Sequence, residues 1–201
     1  MKKAFLVLLA LVLMVSMVAC GGAQSSKASS SQASSVASIE DVPSEVTIEV
    51  PVSWFALDGR NIEEVAQEFV TIQQEGEGTI SVTLNNDGSV TLIVSGTRYQ
   101  AMLDDTRNFV TAFAGDIMAE ENYASIVDIA YTDDFSEFVF SVETEGWLNG
   151  FDGAAVFQLG YMAYYYRVLL GSSVLAITFQ IVNAETGEAI GTTVYPDDLD
   201  R

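Results

Sequence analysis

Two hydrophobic periods alternate along most of this 201-residue chain, and together they limit the folds that it can adopt. Residues 46–52 carry an apolar side chain at every second position, which predicts a half-buried strand. After this strand, an apolar stripe with helical spacing is followed by two segments of alternating polarity, and the same order occurs three times. In chain order, the predicted helices and hairpins cover residues 61–74, 80–94, 99–117, 126–142, 149–170 and 174–195.

This order predicts one α+β domain over residues 45–201. Each hairpin has one apolar face that needs a cover, and each helix has an apolar stripe that can supply it. We therefore expect a single antiparallel sheet of about seven strands with three helices packed on one face, in the order β-(αββ)x3. Asn61 followed by Glu64 has the pattern of a capping box and marks the start of the first helix.

The composition excludes several classes of site and partner. The chain has no His and a single Cys, Cys20, so Ser-His-Asp and Cys-His nucleophile systems and imidazole- or thiolate-based zinc sites are excluded. No disulfide can form within the chain. Eight basic residues against 28 acidic residues give a formal charge of −20, which repels nucleic acid, so no nucleic-acid partner is expected.

The first twenty residues have a composition of their own. Lys2 and Lys3 precede an apolar run over residues 4–19, and Cys20 with two glycines follows at once. A spanning helix needs about 20 apolar residues, and this run is shorter. A basic start, a short apolar run and small residues at its end are the features of a signal peptide, so residues 1–19 are predicted to be removed.

Met17-Val18-Ala19-Cys20 resembles the lipobox of bacterial lipoproteins, and Gly21 before a Ser-rich stretch is similar to lipoproteins of Gram-positive bacteria. The resemblance covers residues 1–22. It implies that diacylglycerol is attached to Cys20 and holds the protein on the extracytoplasmic face of the cell membrane. Two acyl chains give stable anchoring. Residues 20–44, rich in Ser and Ala, are predicted to form a flexible tether between the lipid and the domain.

The third predicted helix is apolar on nearly every side, unlike the other two. Such a helix is buried on most sides, lines a pocket or spans a membrane, and the charge of Arg167 argues against spanning. Either it lies in the middle of the covering layer, or its tyrosines form a stacking surface for a protein, peptide or glycan. A buried Arg167 would need a carboxylate partner, or it could hold an anionic ligand. The predicted ligand-binding residues are Trp147, Phe151, Tyr161, Tyr165 and Arg167.

Acidic residues cluster in three places. Oxygen ligands suit Ca²⁺, and a pair of carboxylates can divide the acid and base roles of glycoside hydrolysis. None of the clusters has the spacing of a calcium loop, and carboxylates at hairpin turns are usually solvated, so we predict no metal site, cofactor or catalytic residue. The clusters are Asp133-Asp134 with Glu137, Asp104-Asp105, and Asp197-Asp198 with Asp200.

The sequence therefore predicts an exported, lipid-anchored cell-surface binding or accessory module for a protein, peptide or glycan, without catalysis. The alternative is a carboxylate-based hydrolase of wall polymers or glycans, which needs neither His nor a metal. A hydrolase should show two carboxyl groups that face each other across about 5–10 Å of a cleft. A binding module should instead show an exposed aromatic patch with carboxylates at its rim.

Overall fold

A computed structural model of the chain describes residues 43–198. The predicted signal peptide, Cys20 and most of the predicted tether lie outside the described residues. The described part contains seven strands, five α-helices and one short 3-10 helix. In chain order these are β1 (Glu45–Val50), α1 (Val52–Ala56), α2 (Ile62–Gln74), β2 (Thr79–Leu84), β3 (Val90–Ser95), α3 (Gly96–Ala119), the 3-10 helix (Glu121–Tyr123), β4 (Ile126–Tyr131), β5 (Glu137–Val142), α4 (Thr144–Asn149), α5 (Ala154–Leu169), β6 (Ile177–Asn183) and β7 (Ala189–Tyr195).

Local sequence signals locate many of these elements. The Asn61 side chain caps α2 by accepting the Glu64 N–H at 3.2 Å, and α2 ends at Gln74 as predicted. The side chain of Ser95 caps α3 in the same way, through the N–H of Arg98. All three predicted hairpins form, as the antiparallel pairs β2–β3, β4–β5 and β6–β7. Caps and hairpins depend on residues close in sequence, so their patterns are visible without the fold.

The prediction of a single antiparallel sheet is wrong, because the seven strands form two sheets. The first sheet is antiparallel with the order β1-β3-β2, and the second has the order β4-β5-β6-β7. Within the second sheet, β5 and β6 run parallel, with Phe138 opposite Phe179. A parallel pair needs a long crossover, which α4 and α5 supply. Alternating polarity predicts each hairpin but does not specify which hairpins pair with each other.

The prediction of three helices on one face of a sheet is wrong as well, and so is the order β-(αββ)x3. The short α1 follows β1, and the predicted helix over residues 149–170 begins only at Ala154, as α5, with the unpredicted α4 before it. Helix α5 packs against β1 of the first sheet, against β6 and β7 of the second sheet, and against α3. Because α5 packs against elements of both sheets, most of its side chains are buried, and the exceptions lie near its start. Among residues 43–198, no helix is long and apolar enough to cross a membrane.

Aromatic side chains fill the space on each side of α5. We call the group that joins α5 to α1 and α2 the first aromatic cluster, and the group that joins α5 to the second sheet the second aromatic cluster. Edge-to-face and stacked ring pairs hold both groups together. The first cluster consists of Trp54, Phe55, Phe69, Tyr161 and Tyr165, and the second consists of Tyr131, Phe135, Phe138, Phe140, Tyr166 and Phe179.

Helix α5 approaches β7 so closely that only a glycine fits at position 160. A Cβ atom on Gly160 would lie 2.6–2.9 Å from three ring atoms of Tyr195. Real Cβ contacts are essentially never that short, and the ring of Tyr195 is itself buried. Gly160 therefore sets the distance between α5 and the second sheet.

Candidate functional site

The five predicted ligand-binding residues lie in three different places. Tyr161 and Tyr165 belong to the first aromatic cluster, where their ring centroids lie 5.2 Å and 5.0 Å from that of Trp54. Arg167 is buried near the end of α5, and Trp147 and Phe151 lie between β5 and α5. The sequence analysis assigned these five residues to one binding surface, but the fold places them apart.

The two tyrosines are part of the hydrophobic core. Burial raises the pKa of Tyr161 and that of Tyr165 well above the usual value of a phenol, because the phenolate would be poorly solvated. Both side chains are therefore neutral at physiological pH. Their rings pack against Trp54, and that of Tyr165 also packs edge-on against Phe69, so these faces are already covered by protein.

Arg167 joins α5 to two neighbouring segments. Its Nη1 donates to Asp134 Oδ2 at 2.6 Å and to the Asp134 carbonyl oxygen at 3.2 Å. Its Nη2 and Nε donate to the carbonyl oxygen of Val174 at 2.6 and 3.2 Å. The prediction that a buried Arg167 would need a carboxylate partner is confirmed. These bonds hold the β4–β5 turn and the segment before β6 on the end of α5.

Asp134 keeps its charge within this junction. Burial opposes ionisation, but hydrogen bonds from Ser136, Arg167 and Thr132 outweigh that effect and hold the pKa of Asp134 well below the ordinary range of a carboxyl group. Asp134 Oδ1 accepts from the Ser136 N–H and hydroxyl at 3.1 and 2.7 Å. Asp134 is therefore a structural carboxylate.

The other members of that acidic cluster have different partners. The backbone carbonyl of Asp133 accepts from Arg107 Nη2 at 2.6 Å, while Glu137 accepts from Gln180 Nε2 at 2.6 Å. In the described part of the chain, no group of three or more acidic side chains is placed to hold a metal ion.

The segment between β5 and α5 presents large apolar side chains to solvent. Leu148 is 66% exposed, Phe151 is 94% exposed, and Phe157 in the first turn of α5 is 52% exposed. The neighbouring Trp147 is half-buried and packs edge-on against Phe140, with 6.1 Å between ring centroids. We call residues 147–157 the exposed aromatic segment.

The buried carboxylate of Asp152 ties the exposed aromatic segment to the residue before β4. Asp152 is buried and accepts hydrogen bonds from the Ser125 N–H at 2.9 Å and from the Ser125 hydroxyl. The carbonyl oxygen of Ser125 accepts from the N–H of Glu143 at 2.7 Å. Ser125, immediately before β4, thus bonds to both ends of the connection that carries the exposed side chains.

Helix α4 is fixed from its own N-terminus. The Glu143 carboxylate accepts from the N–H groups of Glu145 and Gly146, at 3.1 and 2.6 Å, and so caps the helix. A Cβ atom on Gly146 would lie 2.9 Å from Ser125 Cβ, so a glycine is needed for the close packing of α4. These contacts hold the backbone that carries the exposed side chains before any partner binds.

The sequence analysis named Trp147 and Phe151 as candidates but not Leu148, Phe157 or the supporting pair Ser125 and Asp152. The sequence signal for a break between α4 and α5 was the pair Gly150 and Gly153, which interrupts the apolar pattern between the two helices. The exposed residues Glu143 and Glu145 lie at the start of α4 and precede these apolar side chains in the chain.

Comparisons with protein families, with curated proteins and with solved structures found no significant match to this chain.

Proposed function

We propose that this protein is an exported, lipid-anchored binding module that docks a partner protein on the exposed aromatic segment. The observation that carries the proposal is the 94% exposed ring of Phe151 and the 66% exposed Leu148 on one short connection, whose backbone is held by Asp152 and Ser125. A single exposed apolar residue is ordinary on a protein surface. Several large ones on one supported connection are typical of an interaction site.

The chemistry of the segment defines the partner. Exposed apolar side chains that follow Glu143 and Glu145 in the sequence, on a chain of formal charge −20, suit an apolar protein surface with basic residues around it. A glycan site would use flat aromatic faces with hydrogen-bonding groups beside them, whereas the aliphatic Leu148 offers none. The proposal therefore commits to a protein partner, and a peptide or a glycan is a different outcome of the test.

The alternative function, a carboxylate-based hydrolase, gains no support from two buried carboxylates. Asp152 is bonded to Ser125, and the buried side chain of Asp58 pairs with Arg60, which also contacts Glu68 at 2.9 Å. Both carboxylates hold parts of the fold together, and neither contact has the arrangement of a hydrolase pair.

Replacement of the exposed side chains should abolish docking without loss of the fold. The double change Leu148→Ser and Phe151→Ser removes the apolar centre, so affinity should fall at least about tenfold, while the free energy of unfolding changes by about 0.5 kcal/mol or less.

Photo-crosslinkers at positions 148 and 151 should each give one discrete protein adduct in intact cells. Excess purified wild-type protein should compete for this adduct, and the excess double variant should not.

The matched control is a crosslinker at Gln67, which is exposed on α2, outside the exposed aromatic segment. If docking is specific, the crosslinker at position 67 should not give the protein adduct that positions 148 and 151 give. Equal adducts from positions 67 and 151, competition by the double variant, or adducts with glycan alone would each contradict the proposal.

The lipid anchor is a separate part of the proposal, supported by the lipobox-like residues that end at Cys20. Replacement of Cys20 by Ser should release the protein from the membrane fraction into the medium, because diacylglycerol cannot be attached to a hydroxyl in place of the thiol. Membrane fractionation measures the release, and mass spectrometry of the wild-type N-terminus checks for the lipid. Full membrane retention of the Cys20→Ser protein would show that another element holds it.

A further inference from the structure

Strand β1 differs from the other three strands that form an edge of a sheet in the described part of the chain. Each of those three carries one extra residue that interrupts its ladder: Ile80 in β2, Val127 in β4 and Ile190 in β7. Such bulges bend an edge strand and hinder its pairing with another chain. In contrast, all six residues of β1 pair with β3 without interruption.

The hydrogen bonds between β1 and β3 show which backbone groups of β1 point away from the sheet. In an antiparallel pair, every second residue of a strand bonds to the neighbouring strand. The N–H of Gly96, which follows β3, donates to the carbonyl oxygen of Ser44 at 3.2 Å, so Ser44 is one of the bonded positions. The residues of β1 whose N–H and C=O groups point away from β3 are therefore Glu45, Thr47 and Glu49.

These outward backbone groups belong to residues that solvent can reach. Glu45, Thr47 and Glu49 are all exposed, whereas the alternate residues Ile48 and Val50 are buried in the core. Among residues 43–198, no backbone group is bonded to the outward N–H and C=O groups of the three exposed residues. A regular row of such groups is a template for one more strand.

The charges on β1 determine which strand can be added. Glu45 and Glu49 lie on the same face of β1, with Thr47 between them. If two copies of β1 paired antiparallel about Thr47, Glu45 of each copy would lie opposite Glu49 of the other. Like charges directly opposite each other are destabilising, and the whole chain has a formal charge of −20, so a second copy is a poor partner. A strand with basic residues at both facing positions is instead stabilised by both glutamates.

We propose that β1 takes up an extended, basic segment of a partner protein as an added antiparallel strand. In this mode of recognition, main-chain hydrogen bonds supply affinity, and alternate side chains supply specificity. Lysine or arginine residues of the segment lie opposite Glu45 and Glu49. On the other face, the added side chains lie beside Val46 and Ile48, so apolar residues fit there. The segment therefore alternates basic or polar residues with apolar ones.

The test uses a short synthetic peptide in which lysine, threonine and lysine alternate with valine, and follows amide hydrogen exchange of the protein by NMR. In the free protein, the N–H groups of Thr47 and Glu49 should exchange fast, while that of Ile48, bonded to β3, is protected. The peptide should protect Thr47 and Glu49 saturably. Protection of both in the free protein would show that another segment already pairs with β1, and no protection at any peptide concentration would equally overturn the proposal.

Changes in the peptide and in β1 separate strand pairing from general attraction to an acidic protein. A peptide with N-methyl groups on the pairing side keeps its charges but cannot donate, so it should give no protection; equal protection would contradict strand pairing. Thr47→Pro removes an outward N–H and keeps the bonds to β3, so it should abolish the protection of Glu49.

Charge reversal tests the specificity of the edge. Glu45→Lys with Glu49→Lys should transfer binding to a peptide with glutamate in place of lysine. The matched control is Glu185→Lys with Glu188→Lys, an equal change of charge at exposed residues between β6 and β7, which should keep the preference for the basic peptide. The same transfer in both double variants would show that total charge, and not β1, selects the peptide.

Strand β1 shares no residue with the exposed aromatic segment, so the two proposals can fail separately. The double change Leu148→Ser and Phe151→Ser should leave the binding of the basic peptide unchanged, and Thr47→Pro should leave the crosslink at position 151 unchanged. Loss of peptide binding in the Leu148→Ser and Phe151→Ser protein would place the peptide on the exposed aromatic segment and contradict the proposal for β1.

Discussion

Replacement of Gly160 by Ala is expected to destabilise the protein by about 1–3 kcal/mol, although Ala is normally the better residue in a helix. The added methyl group would lie 2.6–2.9 Å from three atoms of the Tyr195 ring. The ring is buried in the contact between α5 and β7, so it cannot turn into solvent. Either α5 or β7 must move, and both are packed against other elements.

Gly115 provides the matched control, because it is also inside a helix but has no atom within 4 Å of its Cβ position. Gly115→Ala should therefore stabilise the protein by up to about 1 kcal/mol through helix propensity alone. Urea unfolding of both variants measures the difference. A gain in the free energy of unfolding for Gly160→Ala equal to that of Gly115→Ala would show that α5 does not approach β7 as closely as described.

Gly160 also shows which part of the fold the sequence could not predict. The sequence pattern predicts an apolar helix at this place and leaves two alternatives open, burial in a covering layer or a tyrosine stacking surface, and the structure buries both Tyr161 and Tyr165. The sequence could not show that two sheets, rather than one, bury this helix. The second sheet depends on the parallel pairing of β5 with β6, which joins residues about 40 positions apart. The polar and apolar residues of each strand alternate in the same way whether its neighbour runs parallel or antiparallel, so this pattern does not reveal the pairing.

At the candidate site too, the sequence shows the type of each residue, but only the fold determines whether its side chain is exposed. Phe151 and Tyr165 are both aromatic residues beside or within the predicted third helix, so the sequence treated them alike. The fold exposes Phe151 almost completely and buries Tyr165 against Trp54 and Phe69.

Asp134→Asn is expected to reduce the free energy of unfolding at neutral pH by about 1–3 kcal/mol. Removing one partner of a buried ion pair costs about 3–5 kcal/mol, but the Asp134 side chain is 47% exposed and solvent screens part of the effect. Asn keeps an acceptor for Ser136 but loses the charge that faces Arg167. The next residue, Phe135, has a φ of 53°, an unfavourable conformation that the turn must hold.

The control for this change is Asp133→Asn, one position earlier in the same turn. The Asp133 side chain is exposed, and Arg107 bonds to its backbone carbonyl, which the substitution keeps. Asp133→Asn should therefore alter stability by about 0.5 kcal/mol or less. A loss as large as that of Asp134→Asn would mean that general surface charge, rather than the contact with Arg167, is responsible.

The effect of Asp134→Asn should also depend on pH, and the direction follows from the lowered pKa of Asp134 in the folded protein. The unfolded chain binds a proton at this carboxyl near pH 3.9, before the folded protein does, so ionised Asp134 stabilises the fold above that pH. This contribution is lost as the pH falls from about 4 through the lower pKa of the folded state. Urea unfolding at several pH values should give a constant difference between wild type and Asp134→Asn above about pH 5 and a shrinking difference below pH 4. A difference independent of pH would show that the hydrogen-bond geometry of the turn, and not the charge of Asp134, stabilises this junction.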